Sequence, residues 1–208
     1  MDATGNFAFG VVILAAGKSS RMGLPKLLLR WGESTVLRHL LHLWERLGAG
    51  QVAVVVSPND SSILMELNRH LFSVQDRIVN ARPERGMFSS IQSAARWPGW
   101  RAELTHWAIT LGDQPHVREV TLRMLLDFAA TQREKICQPL RSGHRRHPVI
   151  LPRRAFERLR DSAVHDLKEF LLARPGELAG FESDDAGLDL DLDTPEDYQR
   201  SLQLNPPA

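Results

Sequence analysis

Residues 10–14 (GVVIL) form an unbroken apolar run that leads directly into a glycine-containing basic turn, residues 14–26 (LAAGKSSRMGLPK). Such a run is of strand length and lacks the polar alternation of a strand with one wet face, so it reads as a strand buried on both sides. Residues 51–56 (QVAVVV) repeat the pattern. Between the two, Leu37, Leu40, Leu41, Trp44 and Leu47 recur at helical spacing across residues 34–47, with Gly48 and Gly50 ending the helix. Strand, helix and strand in that order make a βαβ unit, and the chain is therefore expected to be an α/β protein with a largely parallel sheet.

The rest of the chain continues the alternation. Asn59 and Asp60 are placed to cap a helix carrying Ile63, Leu64, Leu67 and Leu71, followed by a short strand at 77–79. Residues 107–111 (WAITL) form another buried strand, and Leu122, Leu125, Leu126 and Ala129 mark the next helix. Apolar runs at 136–140 and 149–151 flank a turn-like 141–144, which predicts two strands in a hairpin or an insertion over the sheet edge. Helices are expected near 155–159 and 167–172, a strand near 188–192 and a helix from Pro195, so that residues 7–204 make one domain. A chain of 208 residues buries enough surface to need neither disulfides nor a structural metal. The single cysteine, Cys137, lies in an apolar run and reads as core. No run approaches the ~18–20 apolar residues of a membrane span, and a cytoplasmic protein with no membrane partner is expected.

With 26 Lys+Arg against 25 Asp+Glu the formal net charge is +1, which argues against a general nucleic-acid binder. The balance conceals two blocks. Arg141, Arg145, Arg146, Arg153, Arg154, Arg158 and Arg160 form a basic stretch, and Glu182, Asp184, Asp185, Asp189, Asp191, Asp193, Glu196 and Asp197 an acidic one.

Four motifs could carry chemistry. In the turn after the first strand, Leu14, Ala15, Ala16, Gly17, Lys18, Ser19 and Ser20 leave backbone N–H groups open to an anion, and Arg21 and Lys26 add a planar fork and a point charge, as a polyphosphate requires. The turn matches neither the Walker A loop nor the G-x-G-x-x-G fingerprint. Gly112-Asp113-Gln114-Pro115 closes the WAITL strand, where a carboxylate at a strand's carboxyl end is well placed for a metal. Residues 189–197 (DLDLDTPED) alternate so that Asp189, Asp191 and Asp193 share one face, a charge density that Mg²⁺ with substrate phosphates would offset. Residues 80–91 (NARPERGMFSSI) end a strand with a glycine turn and offer Ser89 and Ser90 at a helix start to a base, ribose or phosphate, and Asn80, Gly86 and Ser90 are taken as nucleotide-binding candidates. No H-E-x-x-H or G-x-S-x-G occurs.

Taken in order, LAAGKSSRMGLPK, GMFSSI, LGDQP, HPVIL and DLDTPEDY resemble the molybdenum cofactor nucleotidyltransferases (MobA/MocA-like), with a lean to their cytidylyltransferase branch because LAAG stands where GTP users carry LAGG. The resemblance runs from Val11 to about Tyr198. It implies a Rossmann-like nucleotidyltransferase fold with a mostly parallel mixed sheet flanked by helices. It also implies Mg²⁺-dependent transfer of a nucleoside monophosphate, CMP favoured, from a nucleoside triphosphate to a phosphorylated acceptor such as molybdopterin, with pyrophosphate released. On that resemblance the glycine turn and Lys26 hold the triphosphate, Arg21, Lys26 and Asp113 are catalytic, and Asp113, Asp191 and Asp193 bind metal. His144, Arg145, Arg146 and His147 are assigned by hypothesis to the anionic acceptor, and a molybdoenzyme or its chaperone would receive the product. Departures from the family pattern gather on the acceptor side: Arg146 replaces a glycine, residues 160–166 (RDSAVHD) replace a glycine-rich loop, and Arg85 replaces a small or acidic residue. Transfer to another acceptor such as a sugar phosphate, use of GTP, and a non-catalytic cofactor-binding chaperone remain the alternative readings.

Overall fold

The computed structural model describes residues 7–17 and 25–206. Its main sheet follows the order β10-β7-β9-β6-β1-β4-β5, with β1 Phe9–Leu14, β4 Gln51–Val56, β5 Arg77–Val79, β6 His106–Leu111, β7 Ile136–Arg141, β9 Val149–Pro152 and β10 Leu178–Glu182; β8, His144–Arg145, adds to β7. Strand β9 is antiparallel to both β6 and β7, while β1, β4, β5 and β6 pair in parallel, as do β7 and β10. A separate two-stranded ribbon joins β2, Arg30–Trp31, to β3, Ser34–Thr35.

Helices cover both faces. On one side α1 (Val36–Arg46), α2 (Ser61–Arg69) and α4 (Glu119–Thr131) pack on Val11 and Ile13 of β1. On the other, α3 (Met87–Arg96), α5 (Arg153–Arg158) and α6 (Leu167–Leu172) pack on Val12. Successive β1 side chains point to opposite faces, and both faces are dry, which is why the run GVVIL contains no polar break. The helix α7 (Pro195–Leu204) starts from a capping box between Thr194 and Asp197.

Three expectations are corrected. Helix α2 ends at Arg69, and Leu71, expected on its apolar face, is 92% exposed in a positive-φ turn. The hairpin of 136–151 inserts β9 into the sheet between β7 and β6 rather than over its edge, and Val149, Ile150 and Leu151 are accordingly fully buried. Residues 188–192 are not a strand. A 3₁₀ turn occupies Ala186–Asp189, and the last strand is Leu178–Glu182, where Gly180 lies so close to Leu140 of β7 that an added Cβ would fall 2.7 Å from its Cγ. The alternation itself is present, since Leu188, Leu190 and Leu192 are buried and Asp189 and Asp191 exposed. One dry and one wet side produce it without a hydrogen-bonded ladder. In place of a ladder, His116 donates from Nε2 to the carbonyls of Gly187 and Leu190 (3.1 and 2.9 Å), and buried Asp185 accepts from Thr121 Oγ1 (2.7 Å) and the N–H groups of Arg118 and Gly187 (2.9 Å each).

Candidate functional site

The chain steps from β1 to β4 to β5 in one direction and then crosses to the other side of β1 to lay down β6. The loops leaving β1 and β6 therefore diverge, and a crevice opens at the carboxyl ends of these two strands. A cleft of about 450 Å³ lies there, walled by residues 14–17 after β1, by Leu111, Gly112 and Asp113 after β6, by Lys26 and Leu27, and by Pro83, Glu84, Gly86, Met87 and Ser90 at the start of α3.

Each wall has a local cause. Ala15 extends the β1·β4 pairing by one bond, its N–H donating to the Val55 carbonyl at 2.9 Å, and small Ala15 and Ala16 keep side chains out of the cleft. Pro25 precedes the 3₁₀ turn Lys26–Leu28, whose Leu27 packs down on Gly112. A Cβ at residue 112 would stand 2.7 Å from Leu27 Cδ2 and 2.8 Å from the Leu14 carbonyl. Gly112→Ala should therefore push the Lys26 turn outward and cost about 1–3 kcal/mol in urea unfolding; a variant as stable as its parent would show that the turn yields freely. The α3 wall is set from behind. Asn80, 2% exposed, donates its amide to Ser89 Oγ (2.8 Å) and Ser90 Oγ (2.9 Å) and accepts from the Arg82 N–H (2.9 Å). Gly86 then turns the chain at φ +85° into the helix.

The charged centre lies on the floor. Lys26 Nζ donates to Asp193 Oδ1 at 2.5 Å and to Asp113 Oδ2 at 3.3 Å. The Asp113 carbonyl accepts from the Leu192 N–H at 3.0 Å, and Gln114 Nε2 donates to Asp191 Oδ1 at 2.9 Å. The Gly-Asp-Gln-Pro turn thus holds the 191–193 segment by backbone and side chain. Burial, reinforced by the nearby Asp191 carboxylate, pushes the Asp113 carboxyl above its ordinary value, and the Lys26 ammonium only partly offsets this. An all-carboxylate donor set with excess negative charge suits a hard divalent cation. Among the described residues no group of three His, Cys, Asp or Glu side chains converges as a ready cage. A cation here would take one or two of these carboxylates and complete its shell with ligand oxygens, the usual habit of Mg²⁺.

Of the residues expected at the site, Leu14, Ala15, Ala16, Gly17, Lys26, Gly86, Ser90 and Asp113 line the cleft, and Asp193 reaches it through Lys26. Lys18, Ser19, Ser20 and Arg21 lie outside the described residues. Asn80 stands behind the wall rather than in it. His144, Arg145, Arg146 and His147 do not line the cleft: His144 and Arg145 are exposed, Arg146 is held by Asp189, and burial pushes the His147 imidazole below its ordinary value. Pro83, Glu84 and Met87 were not foreseen, nor was Gln114 as the support of Asp191; the polar side chain next to Asp113 in the same tight turn was the available signal for the latter.

The MobA-like NTP transferase domain family matches residues 11–177. Over 196 residues the chain is 26% identical to the molybdenum cofactor cytidylyltransferase of Escherichia coli (strain K12), covering 92% of this chain and 94% of that one. The crystal structure of Rv0371c in complex with manganese, from Mycobacterium tuberculosis H37Rv, superposes with a TM-score of 0.70 at 27% identity, over 94% of this chain and 98% of the other. Molybdopterin-guanine dinucleotide biosynthesis protein A from Archaeoglobus fulgidus superposes with a TM-score of 0.67 at 15% identity over 94% and 97%, which bears on the fold alone. With a match that starts in β1, takes in both loops of the cleft and ends at the turn before β10, this chain belongs to the MobA-like NTP transferase domain family of nucleotidyltransferases.

Proposed function

We propose that the protein transfers a nucleoside monophosphate, CMP in preference to GMP, from a nucleoside triphosphate to a phosphorylated acceptor of the molybdopterin type. The observation that carries this reading is the Lys26 ammonium held between Asp113 and Asp193 on the floor of the cleft. The preference for CMP follows the similarity to a cytidylyltransferase and the LAAG turn.

In the reaction an acceptor phosphate oxygen attacks the α-phosphorus, forming one P–O bond while the α–β bridging bond breaks, and pyrophosphate leaves with the electron pair. The acceptor is already an anion near neutral pH, so no general base is needed, and the site contributes alignment and charge. Backbone N–H groups of residues 16 and 17 and Lys26, with Arg21 from the same loop, orient the triphosphate and offset charge on the departing pyrophosphate. Mg²⁺, held by Asp113 with Asp191 or Asp193 and by phosphate oxygens, would supply the remaining neutralisation. Ser90 and Gly86 face the nucleoside, and the hairpin carrying His144, Arg145, Arg146 and His147 faces the acceptor. A molybdoenzyme or its chaperone would take up the product.

A thermal-shift and pyrophosphate-release panel of CTP, GTP and ATP with Mg²⁺ tests this. Mg·CTP at about 100 times its Kd should stabilise the protein by about 2.7 kcal/mol, a rise of about 5–10 °C in Tm for a chain of this size. Stabilisation by ATP alone would sink the cytidylyl assignment, turnover with a sugar phosphate but no pterin phosphate would replace the acceptor, and partner binding without pyrophosphate release would favour a chaperone.

A further inference from the structure

The two charge blocks of the sequence meet at one carboxylate. Asp189, at the end of the 3₁₀ turn Ala186–Asp189, accepts from Arg141 Nε through Oδ2 and from Arg146 Nε through Oδ1, each at 2.7 Å. Arg141 ends β7 and also donates to the Asp184 carbonyl at 2.6 Å; Arg146 follows β8, with its N–H on the Pro139 carbonyl at 2.9 Å and its own carbonyl accepting from Gln138 Nε2 at 3.1 Å. One side chain therefore gathers a guanidinium from each limb of the hairpin and ties both to the segment that carries Asp191 and Asp193. Strands β6 and β7 run in the same direction, each opposed to β9, so the hairpin tip projects from the same end of the sheet as Asp113. At that tip the His144 and Arg145 side chains are exposed and make no hydrogen bond or ion pair among the described residues.

We propose that Asp189 is a positioning residue that withdraws Arg141 and Arg146 into the base of the hairpin, fixes the tip against the 191–193 segment, and leaves Arg145 as the guanidinium that meets the acceptor's phosphate. This rests on the nucleotidyl-transfer reading. A planar guanidinium suits a phosphate, and one presented on a fixed turn loses less freedom on binding than one on a loose loop. Asp189 serves the reaction through the arginines it holds and touches neither substrate.

The test uses three variants of the full chain. In Asp189→Asn, hydrogen exchange of residues 140–147 and 186–193 should quicken by about threefold or more while that of 83–90 stays constant. The KM for the acceptor should rise by roughly 5–10-fold with kcat and the triphosphate KM within about twofold. Asp189→Glu, which keeps the charge, should bring the acceptor KM back to within about threefold of the parent. Arg145→Gln should raise the acceptor KM by about tenfold or more with exchange unchanged. Unaltered exchange over 140–147 in Asp189→Asn, an acceptor KM that falls, or a triphosphate KM that rises as much as the acceptor's would overturn the proposal. If the parent protein releases no pyrophosphate with any acceptor offered, nucleotidyl transfer fails and the role of Arg145 fails with it; the exchange data then still decide whether Asp189 holds the hairpin.

Discussion

Asp113→Asn should lower pyrophosphate release by a factor on the order of 10³, or about 4 kcal/mol of barrier, without lowering Tm. Asn keeps the size of Asp113 and an oxygen that accepts a hydrogen bond, so the Gly-Asp-Gln-Pro turn and its backbone bond to Leu192 have no reason to move. What disappears is the negative charge that pairs with Lys26 and that a divalent cation would require. That charge is costly to the resting fold, because it is largely buried and repelled by Asp191. Its folded-state pKa lies above the unfolded value, so the carboxylate is an expense to stability at neutral pH, and a neutral amide removes it. Activity and stability should thus move in opposite directions or stability stay level. A variant that lost activity and several degrees of Tm together would reduce Asp113 to a structural part, and one that kept full turnover would remove it from the chemistry.

Phe156→Ala should be the most destabilising of the substitutions considered, by about 3–5 kcal/mol, with Tm falling by roughly 6–20 °C for a chain of this size. Phe156 is 2% exposed and stacks on Trp107 with ring centroids 4.6 Å apart and planes 3° from parallel, while Trp100 meets both rings edge-on at 6.0 and 5.9 Å. The ring anchors α5 against β6 and β9 toward the end of β6 away from the cleft, in a layer whose other members are also fixed by packing. A cavity there has few ways to collapse. Urea unfolding checks the value, and a loss below about 1 kcal/mol would show that the aromatic layer repacks. At low temperature the folded fraction should still bind Mg·CTP, because Phe156 is absent from the cleft wall.

Much of the molecule could be read directly from residue order. Strands β1, β4 and β6 were visible because they are dry on both faces, a condition that leaves an unbroken apolar run. The glycine turn and the Gly-Asp-Gln-Pro turn were visible because each puts small residues, and the second a carboxylate, directly after a buried apolar strand. Strand β10 was not visible: it lies at the sheet edge, half-buried, with a glycine in its middle imposed by Leu140. Residues 188–192 look more like a strand than β10 does, because a segment laid over the protein with one side dry alternates in the same way whether or not its backbone groups find a ladder.

The charge blocks show where reading by sequence ends. In residue order the basic and acidic blocks stand as separate runs, and the fold sets Asp189 against Arg141 and Arg146, and Asp184 and Asp185 against Arg118. Residue order alone determined the α/β class, the position of the glycine turn after β1 and the presence of a carboxylate at the end of β6, since these follow from local burial and from what short loops permit. Only the tertiary structure decided which carboxylates face Lys26, which are consumed by arginines, and that Arg145 is left over. Those choices depend on side chains up to 167 residues apart meeting across the sheet, as Lys26 meets Asp193, and no local pattern encodes a pairing of that range.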